Sequence, residues 1–146
     1  MIALLFALVS TACTEVPLTG GTHVIVFFAP GNATVKETGK KAIAYFIDRY
    51  GQATKDGGRS ADVDVVGHAD VTGAAMANEK LSLRRAQAVA DLLARGGIPR
   101  DRLKVSGRGA RDPAVSVGPS STAQERADAF AQNRRVEVEM IPRSKW

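Results

Sequence analysis

The sequence predicts an α+β domain, an α/β sandwich of order βαβαβ(α)β in which a mixed four-stranded sheet has helices packed on it. Three observations lead there. Two strand-length runs, Val24-Ile-Val-Phe-Phe28 and Asp62-Val-Asp-Val-Val66, are each followed by a stretch with helical spacing. The last regular segment, Arg135 to Ile141, alternates Val136, Val138 and Met140 with Glu137 and Glu139, giving one apolar face and one wet face. Finally, 146 residues with 45% apolar content suffice for one core and are few for two.

Each element has its own signal. Val24–Phe28 is uninterrupted, β-branched and aromatic, so the expectation is a central strand buried on both faces. Pro30-Gly31 stops it, and Thr34-x-x-Glu37 offers a capping box. Val35, Ala42, Ile43, Phe46, Ile47 and Tyr50 then recur at helical spacing, which predicts a helix over 34–50 and a loop over 51–60. Asp62–Val66 alternates as a second strand and ends at Gly67. A second helix is predicted over 75–95, closed by Gly96-Gly97 with Pro99 beyond. Leu103-Lys-Val105 is a third strand entering Gly107-Arg-Gly109, and a shorter helix over 123–132 precedes the last strand. Right-handed crossovers make the first three strands parallel, with the last free to run antiparallel to its neighbour.

Twenty Lys and Arg against fifteen Asp and Glu give a formal charge of +5. The cations are interleaved with acids along the chain, so a solvated basic surface is expected and no nucleic-acid partner. The single cysteine, Cys13, excludes an internal disulfide framework. It follows the apolar run Met1–Val9 and the small residues Ser10-Thr11-Ala12. That run is too short to span a bilayer and has the size of an export-signal core. Cleavage before a cysteine resembles bacterial lipoprotein signals, although no Lys or Arg precedes the run. The expected organisation is therefore a lipoprotein-type signal over 1–12, a lipidated Cys13 with a polar tether over 13–22, and a domain over 23–143. A buried N-terminal strand is the other reading of the same run.

Chemistry concentrates in Gly67-His68-Ala69-Asp70-Val71-Thr72-Gly73, Asn78, Leu81-Ser82 and Arg84-Arg85-Ala86. On a helical wheel Ala86, Val89, Ala90 and Leu93 form the core stripe, and Lys80, Arg84, Asp91 and Arg95 lie opposite. Asn78, Leu81 and Arg85, spaced i, i+3 and i+7, share a border stripe facing the loop that carries Asp70. The wheel thus predicts an accessible Arg85 guanidinium on a packed stem, and a solvent-borne Arg84. An arginine fork matches a carboxylate and an aspartate accepts from an ammonium, so a zwitterionic amino-acid head fits between them. Two other arrangements meet the same spacing: Asp70 and Arg85 bonded to each other, or Asp70 capping the second helix. His68 and Asp70 supply too few ligands for a zinc site, phosphate-cradle motifs are missing, and no triad is visible, so no metal, cofactor or enzymatic activity is expected.

From Val24 to Ile141 the chain resembles the OmpA-like peptidoglycan-binding domain family, which includes peptidoglycan-associated lipoproteins and flagellar motor stator proteins. The resemblance rests on Gly67-His68-Ala69-Asp70-x-x-Gly73, Asn78-x-x-Leu81-Ser82-x-x-Arg85-Ala86, Gly107-x-Gly109 and Asn133-Arg134-Arg135-Val136-Glu137. It implies noncovalent binding of the diaminopimelate residue of uncrosslinked peptidoglycan stems. Asp70 would take the ammonium and Arg85 the carboxylate, Asn78 and Leu81 would line the groove, and Arg134 would border it. Two departures stand out: Ala69 where the family usually has threonine, and Pro30-Gly31-Asn32 where an aromatic and an acid or amide are common. Thr14 after the cysteine resembles lipoproteins of the outer membrane, facing the periplasm. The expected partners are peptidoglycan and, through the lipid, a membrane; the alternative is a protein-interaction subunit of an envelope or secretion complex with a weakened pocket.

Overall fold

A computed structural model describes residues 23–55 and 61–143. The expected signal, Cys13 and the tether lie outside them. The order is β1 (His23–Phe27), α1 (Glu37–Thr54), β2 (Ala61–Gly67), α2 (Ala75–Arg95), a 3-10 turn at Arg100–Arg102, β3 (Leu103–Gly107), α3 (Ala123–Asn133) and β4 (Arg135–Pro142). The strands form one sheet in the order β1-β4-β2-β3. β4 runs antiparallel to both β1 and β2, while β2 and β3 are parallel. The first three strands therefore point the same way, as the crossover rule predicts, with β4 inserted between β1 and β2.

That insertion corrects the expectation for the first strand: β1 is an edge, not a centre. Only Val24 and Val26 are buried, while His23 and Ile25 are half-buried and Phe27 is 44% exposed. Phe28, the last residue of the apolar run, is buried beyond the strand's end. One face of the sheet presents Val24, Val26, Val63, Val65, Val136 and Val138 to Ile43 and Phe46 of α1 and Ala86, Val89 and Leu93 of α2. Alternation explains the pattern, since successive side chains of a strand point to opposite faces.

α1 differs from its expected bounds at both ends. The Thr34–Glu37 box does not form, because the Asn32 side-chain oxygen accepts the Thr34 N–H at 2.6 Å and holds that residue in a turn. Lys36 becomes the N-cap without a side-chain bond, and Glu37 pairs with Lys40 instead. At the other end the helix runs through Gly51 to Thr54, carried by the i, i+4 bond from Gln52 to Asp48 at 2.7 Å. α2 has the predicted bounds, and its core stripe, Ala86, Val89, Ala90 and Leu93, is buried as the wheel requires. It stops at Gly96, with Gly97 at φ +104°, a conformation that side chains other than glycine's rarely adopt.

Candidate functional site

The site lies at the pole of the sheet where β1, β2 and β3 end and β4 begins. Backbone bonds carry the ladder past the strands into the loops: Phe28 N–H donates to the Arg134 carbonyl at 2.8 Å and His68 N–H to that of Arg135 at 2.8 Å. Ala69 N–H reaches the Gly109 carbonyl at 2.8 Å, and Arg108 N–H that of Gly67 at 2.9 Å. The loops that carry Asp70 and Gly109 are thus fixed extensions of the sheet. A small cavity of about 80 Å³ opens between them and α2, lined by Gly31, Ala69, Asp70, Thr72, Asn78, Leu81 and Arg85. The sequence expectation that Asp70, Asn78, Leu81 and Arg85 share one groove holds.

Arg85 lies deeper than the wheel put it. The residue is 0% exposed, although it is among those that line the cavity. Nε donates to the Asn32 carbonyl at 2.8 Å, Nη1 to that of His68 at 3.0 Å, and Nη2 to that of Ala29 at 3.0 Å. The Phe28 ring lies 5.4 Å away, within cation–π range. The reason for the burial is the turn Ala29-Pro30-Gly31-Asn32. Asn32 N–H closes it onto the Ala29 carbonyl at 3.3 Å, and Gly31 has φ +62°, which with Pro30 before it is the type II pattern. This turn folds over α2 and turns two carbonyls toward Arg85. Burial pushes the guanidinium pKa down to about 10, with Arg134 adding to the fall and Asp70 opposing it, so it stays charged at neutral pH. Arg84, as expected, is exposed.

The Asp70 carboxylate bonds neither to Arg85 nor to the start of α2, whose N-cap is Ala74. Its Oδ1 accepts from the Thr72 N–H at 2.9 Å and from the Thr72 hydroxyl. Its Oδ2 accepts from Arg134 Nη1 at 3.1 Å, and Arg134 Nε donates to the Phe28 carbonyl at 3.2 Å. Desolvation alone would raise the Asp70 pKa; the Thr72 and Arg134 bonds outweigh it and hold the carboxyl below its ordinary range. Asn78 Nδ2 donates to the Asp70 carbonyl at 3.1 Å, locking the loop to the first turns of α2. Arg134 thus acts as Asp70's ion-pair partner, a link across 64 positions that spacing cannot reveal. Thr72 was also missed, though Asp-x-Thr is a readable turn pattern in which the aspartate bonds the backbone two residues on.

His68 lies behind the site. It is buried, neither ring nitrogen has a hydrogen-bond partner, and Nε2 is 3.8 Å from a Glu137 carboxylate oxygen. Desolvation, reinforced by Arg135, holds its pKa below the ordinary 6.5 against the opposing pull of Glu137 and Asp112. The unfolded chain therefore binds a proton that the folded one refuses once pH falls below 6.5, and stability is lost on acidification through that value. We expect the urea midpoint to drop between pH 7.5 and pH 5, and His68→Gln to flatten that drop. Among the described residues, no group of three or more His, Cys, Asp or Glu is gathered as a metal site would need.

The chain matches the OmpA family over residues 27–134. It belongs to that family. Outer membrane protein A of Escherichia fergusonii is 34% identical over 117 residues, covering 79% of this chain and 47% of the relative, so the chain spans about half that protein's length. Among solved structures, the cell wall anchor of the T6SS from Pseudomonas aeruginosa is 28% identical with a TM-score of 0.64, over 83% of this chain and 81% of the other. The peptidoglycan-associated lipoprotein from Burkholderia pseudomallei has a TM-score of 0.63 at 18% identity, over 82% and 89%, and shares the fold. The mixed sheet with three helices is thus the OmpA-like architecture. No helix among the described residues of this OmpA-family domain is long and apolar enough to cross a membrane.

Proposed function

We propose that this OmpA-family domain is a non-enzymatic wall-binding module that holds the zwitterionic side-chain terminus of diaminopimelate in peptidoglycan, from an outer-membrane lipoprotein acylated at Cys13. The observation that carries the reading is the set of hydrogen-bonding positions that Arg85 and Asp70, both lining the cavity, do not use within the domain. A guanidinium has five N–H donors, and Arg85 uses three on carbonyls. A carboxylate has about four lone-pair positions, and Asp70 fills three. Two donors and one acceptor therefore remain, the complement of one carboxylate beside one ammonium. Arg85 and Arg134 against Asp70 leave the site with one surplus positive charge, which favours the ligand's carboxylate end. Leu81 supplies an apolar wall for the methylene stem. The solved relatives described as a cell wall anchor and as peptidoglycan-associated support the same class of ligand.

A lysine-type stem presents only an ammonium at this position, so the reading separates the two wall types. Retention on diaminopimelate-type sacculi, with lysine-type sacculi as comparison, tests it. Asp70→Asn removes a charged hydrogen bond of about 1.5–3 kcal/mol, so retention should fall roughly ten- to hundred-fold, with the circular dichroism spectrum unchanged. Equal retention of wild type and Asp70→Asn, or equal retention on the two wall types, overturns the assignment. Weak single contacts are adequate for such a link, because a tethered domain facing many wall sites works at high effective concentration.

A further inference from the structure

The pole opposite the cavity carries a second charged constellation. Strand register places His23, Ala61, Leu103 and Pro142 at that end and Phe27, Gly67, Gly107 and Arg135 at the cavity. There Asp62, buried at the start of β2, receives three cations at once: Arg143 Nε at 3.1 Å, Lys104 Nζ at 3.2 Å and Arg102 Nη1 at 3.5 Å. Asp101 also approaches Arg102, at 3.9 Å, and Arg100 is matched by Asp91 at 3.0 Å. Lys55, at the end of α1, reaches the same pole because Tyr50 one turn earlier donates to the Ala61 carbonyl at 3.2 Å. The rim thus holds Lys55, Arg102 and Lys104 with Arg143 against Asp62 and Asp101. Lys104 and Arg143 keep more than half of their side-chain surface in solvent.

We infer that this pole is a docking surface for a bilayer bearing anionic phospholipid headgroups, turned toward the membrane while the cavity faces away. The inference rests on the lipid-anchor reading for its geometry. Cys13 precedes His23 by ten residues, a span of at most about 35 Å and roughly 17 Å as a flexible chain. β1 begins at this pole, so an acyl group on Cys13 keeps this end nearer the headgroups than the cavity, the flexible tether's roughly 17 Å being shorter than the domain. The arrangement gives a clear division of labour: the strands, about 20 Å from pole to pole, separate the wall-binding cavity from the lipid surface. In sequence, Lys145 and Trp146 follow Arg143 within three residues, a cation and the residue type favoured at membrane interfaces. Asp62 orients three long side chains that would otherwise spread, while its single charge leaves their sum positive.

Trp146 is the only tryptophan of the chain, so its emission reports directly on lipid contact. The test uses residues 13–146 with Cys13→Ser, which removes acylation and retains every described strand and helix. Vesicles of phosphatidylcholine with phosphatidylglycerol should sediment the protein and shift its emission to the blue, and vesicles of phosphatidylcholine alone should do neither. Each surface cation contributes about five-fold, so Lys55→Gln, Lys104→Gln and Arg143→Gln together should weaken binding on the order of a hundred-fold. Arg102 stays on Asp62 in that variant, and an unchanged urea midpoint shows that the fold is kept. Its retention on sacculi should match that of the parent chain, which keeps this test separate from that of the cavity. No binding to anionic vesicles, equal binding to neutral ones, or full binding by the triple variant overturns the inference.

Discussion

Arg85→Ala is expected to lower the stability of the domain by about 3–5 kcal/mol and to abolish retention on sacculi. The side chain is wholly buried, and its hydrogen bonds join the turn after β1 to the residue after β2, through Ala29, Asn32 and His68. Alanine takes a donor from three carbonyls, of which that of Ala29 keeps the Asn32 N–H; each of the other two costs about 1–3 kcal/mol less what water entering from the cavity recovers. It also leaves Asp70 with Arg134 as its one cation. Loss of binding in this variant alone could follow from a collapsed cavity, so Arg85→Lys is the informative partner. Lysine keeps the charge but places three donors on one nitrogen, which cannot reproduce a planar fork engaging three carbonyls. We expect Arg85→Lys to recover part of the urea midpoint and little of the wall retention. Full retention by Arg85→Lys would show that charge alone suffices and that the two N–H donors unused within the domain play no part in the ligand contact.

The same residue shows how far the sequence could be read. The helical wheel gave the correct stripe, because Asn78, Leu81 and Arg85 do face the loop of Asp70. It gave the wrong depth, because a wheel describes one helix and the cover over Arg85 comes from Pro30-Gly31, fifty-odd residues away. Local patterns had a different weakness, competition between neighbouring side chains. Thr34-x-x-Glu37 and Thr122-x-x-Glu125 are equivalent on paper, yet only the second forms a reciprocal box, with Glu125 N–H on the Thr122 hydroxyl at 3.1 Å and Thr122 N–H on the Glu125 carboxylate at 2.7 Å. The first fails because Asn32 has already captured Thr34. The apolar run from Val24 to Phe28 misled differently. Its continuity fits a strand buried on both faces, but its last aromatic leaves the strand to sit under Arg85, and Phe27 remains at the edge. Long-range contacts decided the depth of Arg85 and the edge position of β1, and no window along the chain contains them, whereas the Thr34 box was lost to a competitor two residues away.

Gly67→Ala is expected to be nearly as damaging as loss of Arg85, through packing and with no change of charge. A Cβ at Gly67 would overlap the Ser82 carbonyl oxygen and stand 2.8 Å from its carbon, and one at Gly107 would stand 2.6 Å from Leu83 N and 2.7 Å from Ser82 Oγ. α2 therefore rests directly on the backbones of β2 and β3 at the middle of the Leu81-Ser82 motif. Ser82 fills the gap and bonds in both directions: its hydroxyl donates to the Glu79 carbonyl at 2.8 Å and accepts the Gly109 N–H at 2.9 Å. Gly109 in turn accepts from Ala69, the neighbour of Asp70. The glycines and the serine of the family motif thus form a helix seat, and that seat sets how far Asn78 and Arg85 stand from Asp70. The obstructing atoms at Gly67 are backbone, so no rotamer change relieves the overlap and the helix must lift. Overpacking of this kind costs about 3 kcal/mol, or a fall of roughly 10 °C in Tm for a domain of this size. Lifting α2 also opens the 3.1 Å bond from Asn78 to the Asp70 carbonyl, so wall retention should fall together with stability. Gly31→Ala supplies the contrast, since nothing lies within 4 Å of its Cβ and only its φ of +62° opposes the substitution. If Gly67→Ala melted within a degree or two of wild type, the close approach of α2 to the sheet would not be what positions the site.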